Sequence, residues 1–251
     1  MEQLLISPTL LAGLFFAAAF LYGSVGLGGG STYAALLAVF GAGHRAIPPV
    51  TLTLNLVVTV VGAFHYIRAG HADFKLIIPV VAASMPMAFL GGYIEVEAAL
   101  FYPLLAAVLA LVAARIFLWS HVQMSVKWNR SLRWPALIGL GATIGFVSGM
   151  VGIGGGIFLV PLILILGLGD AKAAAATGAM FVFLNSASGL VGHLQHYVPE
   201  WSTIVPMAVA TAAGGFLGAW LGANRFSRRR VQKMLGVVVI IAVVLLLLRM
   251  W

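Results

Sequence analysis

Along this chain long apolar runs alternate with short polar connections, and the runs are of two kinds. Six are ordinary, at roughly 46–68, 75–95, 97–118, 172–197, 200–224 and 231–250. Each is about the length of a helix that crosses a bilayer. Two others are longer and are broken by glycine. The first, about 8–43, contains Gly26-Leu27-Gly28-Gly29-Gly30 in a stretch uncharged from Gln3 to His44. The second, about 134–169, contains Gly152-Ile153-Gly154-Gly155-Gly156 in a stretch uncharged from Trp134 to Gly169. An intact 36-residue helix would reach about 54 Å, against a hydrocarbon core of about 30 Å. Glycine weakens a helix and bares its backbone. In lipid such a break is tolerated only where protein or a cavity surrounds it. The predicted fold is therefore an all-α polytopic membrane protein, each half made of one broken segment and three transmembrane helices.

The halves repeat. Gly23-Ser24-Val25-Gly26-Leu27-Gly28-Gly29-Gly30 aligns with Gly149-Met150-Val151-Gly152-Ile153-Gly154-Gly155-Gly156 at an offset of 126, and Thr51 meets Thr177 at the same offset. Pro79 and Phe89-Leu90-Gly91 align with Pro206 and Phe216-Leu217-Gly218 at an offset of 127. This divides the chain into a first repeat over 1–120, a linker over 121–133 and a second repeat over 134–251.

Charge decides how the broken segments run. If all eight segments cross, seven Lys/Arg fall on each side and the positive-inside bias vanishes. If the two glycine segments are re-entrant hairpins, one side keeps only Arg45 and Arg249, together with Glu2, Glu95, Glu97 and Glu200. The other twelve basic residues share the opposite side. That asymmetry favours hairpins, with the basic side cytoplasmic and both termini periplasmic. Three crossings per half then place the halves in opposite orientations, an inverted repeat.

Composition narrows the function. With 62% hydrophobic and 8% charged residues, the chain holds no polar stretch long enough to fold as a separate soluble domain. The net charge of +8 lies in short loops beside apolar spans, so nucleic acid is not an expected partner. The N-terminus opens on Glu2 rather than a basic region, and no cleavable leader is expected. There is no cysteine, which removes thiol chemistry and cysteine metal sites. His193-x-x-His196 followed by Glu200 is read as a polar rim, so no metal and no cofactor are expected. The absence of His-Glu-x-x-His and Gly-x-Ser-x-Gly motifs argues against an intramembrane enzyme.

What remains is a neutral anion site. A helix restarting at each glycine cluster presents unpaired N–H groups and about half a positive charge, and two such ends meeting can hold an anion without arginine. The candidate binding residues are Ser24, Gly28, Gly29, Gly30, Ser31 and Thr32 in the first half, Gly154, Gly155 and Gly156 in the second, and the intramembrane Asn55 and Asn185. Ser148 adds a hydroxyl, whereas Thr51, Thr53, Thr177, Ser186 and Ser188 are read as interhelical hydrogen bonders. Gly141, Gly145 and Gly149, and likewise Gly214, Gly218 and Gly222, are read as packing stripes. His65 and His196, each followed by tyrosine, are candidate proton-coupling groups.

The doubled glycine motif, with Val160-Pro161-Leu162 after the second copy, resembles the sulfite exporter TauE/SafE family over the whole chain. The resemblance implies a bacterial inner-membrane transporter of sulfur-containing anions such as sulfite or organosulfonates. The first half departs from the pattern: Tyr33-Ala34-Ala35 stands where the second has Leu159-Val160-Pro161. The expected activity is secondary transport, outward, by alternating access. Rival readings are an anion channel, an intramembrane enzyme and a scaffold subunit. Expected partners are a small anionic substrate and membrane lipid, with a homodimer as an option.

Overall fold

The computed structural model describes residues 7–24, 28–68, 72–118, 130–222 and 228–250. They form ten helices: α1 (Pro8–Ser24), α2 (Gly30–Val39), α3 (Ile47–Arg68), α4 (Phe74–Tyr93), α5 (Ala98–Leu118), α6 (Arg130–Val151), α7 (Gly156–Ile165), α8 (Ala171–His193), α9 (Trp201–Gly222) and α10 (Arg228–Met250). No strand occurs among the described residues. Among the described residues five helices carry a window long and apolar enough to cross a membrane: Phe74–Tyr93, Ala98–Phe117, Leu132–Val151, Ala173–His193 and Trp201–Gly218. Large apolar side chains face outward, with Leu248 69%, Val209 64% and Phe216 63% exposed. A water-soluble monomer rarely shows such a surface, and lipid covers it at no cost.

Both glycine clusters break their segments, giving α1–α2 and α6–α7. Each pair turns back on itself. Arg45, beyond α2, pairs with Glu95 in the α4–α5 connection at 3.1 Å. The Tyr102 hydroxyl on α5 donates to the Ala42 carbonyl nearby. Arg133, early in α6, donates to the Leu168 carbonyl beyond α7 at 2.8 Å. The ends of the second broken segment therefore share one end of the bundle; the first segment ends beside the α4–α5 connection, and α1, packed parallel to α9, starts where the α8–α9 connection meets Tyr93 at that same end.

Glycine sets the helix contacts. Gly141, Gly145 and Gly149 of α6 lie in turn against Val80, Ser84 and Ala88 of α4. A Cβ at Gly145 would sit 2.6 Å from the Ser84 carbonyl oxygen. Gly214 and Gly218 of α9 lie in the same way against Phe16 and Phe20 of α1. Both pairs run parallel, since the contact positions rise together along each helix. The two contacts correspond when the halves are exchanged, α1 standing for α6 and α9 for α4. Gly222 has no described side-chain environment.

The equivalent central helices α3 and α8 run antiparallel. Leu52 lies against Gly189, whereas Thr59 and Val182 meet at Gly28. Equivalent α5 and α10 are antiparallel too, with Gly236 near the start of α10 against Ile116 and Phe117 near the end of α5. Local chemistry supports these starts. Asp73 caps α4 by accepting from the Lys75 amide at 3.0 Å, and Asp170 accepts from the Ala173 amide at 2.8 Å. Pro48 and Pro49 occupy the first turn of α3, where a missing N–H costs nothing.

Candidate functional site

The two glycine tips meet between α3 and α8. A Cβ at Gly30 would lie 2.6 Å from the Ile153 carbonyl oxygen of the opposite tip, and would also strike the Asn55 amide. A Cβ at Gly154 would lie 2.9 Å from Asn55 Nδ2, 3.0 Å from Val182 and 3.3 Å from Ser186 Oγ. Gly28 faces Thr59, Val182 and Asn55, at 3.3, 3.4 and 3.6 Å from its Cβ position. Asn55 therefore stands between the tips, at close range only because neither tip carries a side chain. Gly152, Gly154 and Gly155 also have φ of +81°, +75° and +75°, the left-handed region that L side chains avoid. The depth is central, because Asn55, Thr59, Val182 and Ser186 lie near the middle of α3 and α8.

Both short helices begin here. Gly29 caps α2 and Gly155 caps α7, each without a side-chain hydrogen bond. The first backbone N–H groups of a helix have no intrahelical acceptor. In α7 the first amides to find one in the preceding turn are those of Phe158 and Leu159, both on the Gly155 carbonyl. The N–H ends of α2 and α7 thus add partial positive charge to the same interior region.

Asn55 and Asn185 are 0% and 2% exposed, and neither amide nitrogen nor oxygen of either has a hydrogen-bond partner in the protein. The hydroxyls of Ser186 and Tyr33 are also buried without a partner. Leaving a polar group so costs about 1–3 kcal/mol each. Unpaired buried groups call for an explanation, and a ligand that pairs with them supplies one. No Asp, Glu, Lys or Arg is buried among the described residues.

The remaining expected residues divide. Ser31 and Thr32 are buried, but their hydroxyls hydrogen-bond the Tyr22 hydroxyl at 3.1 and 2.9 Å, tying α2 to α1. Ser148 donates to the Ile144 carbonyl of its own helix and touches Gly155. Gly29 and Gly156 are buried, and a Cβ at Gly29 would press on the Tyr33 ring. Ser24 and His65 lie outside the described side chains. His196 sits beyond α8, exposed, with Nε2 donating to the Tyr93 carbonyl at 2.8 Å. It is ten residues past Ser186 and remote from the tips.

Two residues escaped the sequence reading. Ser186, read there as a helix-packing hydroxyl, faces Gly154 unpartnered. Tyr22, which captures Ser31 and Thr32, carried no signal beyond its place one turn before the first cluster. Thr51 behaves as expected of an interhelical bonder. Its hydroxyl reaches the Gly152 carbonyl at 2.7 Å and pins the second tip to α3.

Comparison with known proteins fits this arrangement. The profile of the family described as sulfite exporter TauE/SafE matches residues 10–246. The chain belongs to the sulfite exporter TauE/SafE family. It is 33% identical over 242 residues to the probable membrane transporter protein y4hK of Sinorhizobium fredii, covering 92% of this chain and 95% of that one. It is 26% identical to a probable membrane transporter protein of Methanocaldococcus jannaschii, covering 77% and 74% of the two chains. With the probable membrane transporter protein YjnA of Bacillus subtilis the identity is 23%, over 93% and 96%. No solved structure matches the chain. A TauE/SafE chain with these apolar helices is a multi-pass membrane transporter.

Proposed function

We propose that this TauE/SafE transporter carries a small sulfur-containing oxyanion, such as sulfite or an organosulfonate, outward across the bacterial inner membrane. The observation that carries the reading is Asn55, buried and unpartnered at both amide atoms between two glycine tips. The tips offer backbone N–H groups, and the Asn55 amide and Ser186 hydroxyl offer neutral donors. Asn185 supplies a second unpartnered amide on the same turn of α8 as Ser186. A millimolar site needs about 4 kcal/mol. Two hydrogen bonds to a charged partner, at about 1.5–3 kcal/mol each, reach that without arginine. A carboxylate in the site would repel the guest, and none is buried among the described residues.

The antiparallel run of α3 against α8 and of α5 against α10 supports an inverted repeat, and the return of each broken segment supports re-entrant hairpins. Alternating access then follows from one repeat moving against the other about the shared site. The basic loops are cytoplasmic and the termini periplasmic. His65 and His196 remain the candidates for proton coupling.

The test is sulfite and sulfoacetate flux in proteoliposomes holding the purified protein. Saturable flux that Asn55→Leu abolishes supports the reading. Absence of any anion flux from the wild type refutes it, and turnover far above carrier rates makes the protein a channel.

A further inference from the structure

A second feature lies outside the tips, at the acidic end of the bundle. There an open cleft, with about 30 Å³ of room for the centres of water molecules, lies between the connections that follow α2, α4 and α8. At about 10–15 Å³ per water on that measure it holds two or three, room for one small oxyanion in place of them. Its wall includes His44, Arg45, Glu95, His193 and His196, and Pro48 and Met150 lie on its inner side.

Arg45 is the cation of this wall. Two of the three imidazoles are committed elsewhere at one nitrogen: His193 Nε2 donates to the Gly149 carbonyl and His196 Nε2 to the Tyr93 carbonyl, both at 2.8 Å. Among the described residues the guanidinium pairs with Glu95 at 3.1 Å, and the two side chains are 61% and 48% exposed. An ion pair so exposed gains little over solvated charges, so another oxyanion can take the place of the Glu95 carboxylate at small cost. The guanidinium fork suits any planar or tetrahedral oxyanion.

The cavity also stacks directly on the tips. Pro48 lines it and contacts Gly152, whose carbonyl accepts from Thr51, and Asn55 follows one turn further along α3. From Pro48 to Asn55 the helix rises only about 10 Å. The cavity thus lies within about 10 Å of the tips along α3, on one way from them to this end of the bundle.

We infer that the cavity is an outer oxyanion site in which Arg45 binds the anion and Glu95 acts as an internal competitor that displaces it. Glu95 holds Arg45 when the site is empty, yields it to an arriving anion, and retakes it as the anion departs. The pair thereby keeps the outer site weak, which suits release. The inference depends on the oxyanion reading of the tips only for its choice of probe.

Full-length protein in phosphatidylcholine vesicles, with sulfite added on the acidic face, tests it. Arg45→Gln should raise the half-saturating sulfite concentration on that face by about 3–10-fold, and Glu95→Gln should lower it by a similar factor, the scale of an exposed charge contact. Both side chains are exposed, so neither change endangers folding. Opposite signs support the inference. No change in either variant, or a rise in both, overturns it and leaves the ion pair as a structural tie. A binding readout keeps this separate from transport. In Asn55→Leu, a sulfate-induced thermal shift that Arg45→Gln removes supports the outer site even if no anion is transported. Transport that proceeds with no Arg45-dependent shift overturns it while leaving the tips intact. A response to phosphatidylglycerol in the vesicles with none to sulfite would assign Arg45 to a lipid headgroup and overturn it as well.

Discussion

Replacing Asn55 by leucine separates binding from folding. The two side chains have nearly the same shape, so leucine fills the space between the tips without a large cavity. Asn55 is fully buried and both amide atoms lack a partner. Removing them relieves an unsatisfied polar burial worth about 1–3 kcal/mol per group in a protein interior. In a bilayer the gain is smaller, because the loosened chain also finds partners, and about 1 kcal/mol is the better figure. Against this stands crowding. The Cβ positions of Gly30 and Gly154 already crowd the Asn55 amide, and a misplaced methyl there costs about 1–3 kcal/mol. The two effects nearly cancel, so the melting temperature should stay within roughly 4 °C of wild type, at about 2–4 °C per kcal/mol for a chain of this size. Transport should fall far more steeply. Losing one hydrogen bond to an anion, about 1.5–3 kcal/mol, lowers affinity by roughly 10–150-fold. Differential scanning fluorimetry of the purified protein and initial sulfite flux in proteoliposomes measure the two quantities. Wild-type flux with an unchanged melting temperature would show that the amide does not meet the solute. A large loss of stability would show that the amide is structural and that its apparent isolation misleads.

Other consequences follow from the same geometry. Gly154→Ala places a Cβ 2.9 Å from the Asn55 amide at a φ of +75°. It should cost about 2–5 kcal/mol and abolish flux, whereas Gly28→Ala, whose nearest neighbour would be 3.3 Å away with no positive φ, should retain measurable flux. Thr51→Val removes the 2.7 Å bond to the Gly152 carbonyl and should lower the melting temperature by a few degrees, read by fluorimetry. Because the chain has no cysteine, single-cysteine variants at Gly43, Glu95 and Val198 should all react with an impermeant maleimide from one side, and variants at Asp73 and Asp170 only from the other. Labelling of Gly43→Cys together with Asp170→Cys would refute the hairpin return. The His44 pKa is lowered, first by partial burial and then by Arg45, with Glu95 opposing. The folded state therefore prefers neutral His44, so its contribution is complete above the unfolded value of about 6.5 and is lost as pH falls from there through the lowered folded value. Melting scans at pH 7.5 and 5.5 should show a slightly larger acid loss in wild type than in His44→Gln.

The sequence by itself determined the helical membrane architecture, the two breaks and the helix-packing stripes. Each rests on information local to the chain. Continuous apolar runs have one stable form in lipid, four glycines in five residues cannot sustain a helix, and glycines four apart share one face. The count of Lys and Arg was enough to favour hairpins, and the Arg133–Leu168 contact ties the two ends of the second segment together. Tertiary structure decided which polar groups face the tips. Neighbouring residues on a helix point about 100° apart, and which direction is inward depends on packing against other helices. Asn55 and Asn185 looked alike in sequence, yet on α8 it is the Ser186 hydroxyl, beside Val182, that faces Gly154, and Tyr22 draws the Ser31 and Thr32 hydroxyls to itself. No pattern along the sequence encodes a contact between positions about a hundred residues apart, such as that of the Asn55 amide with Gly154.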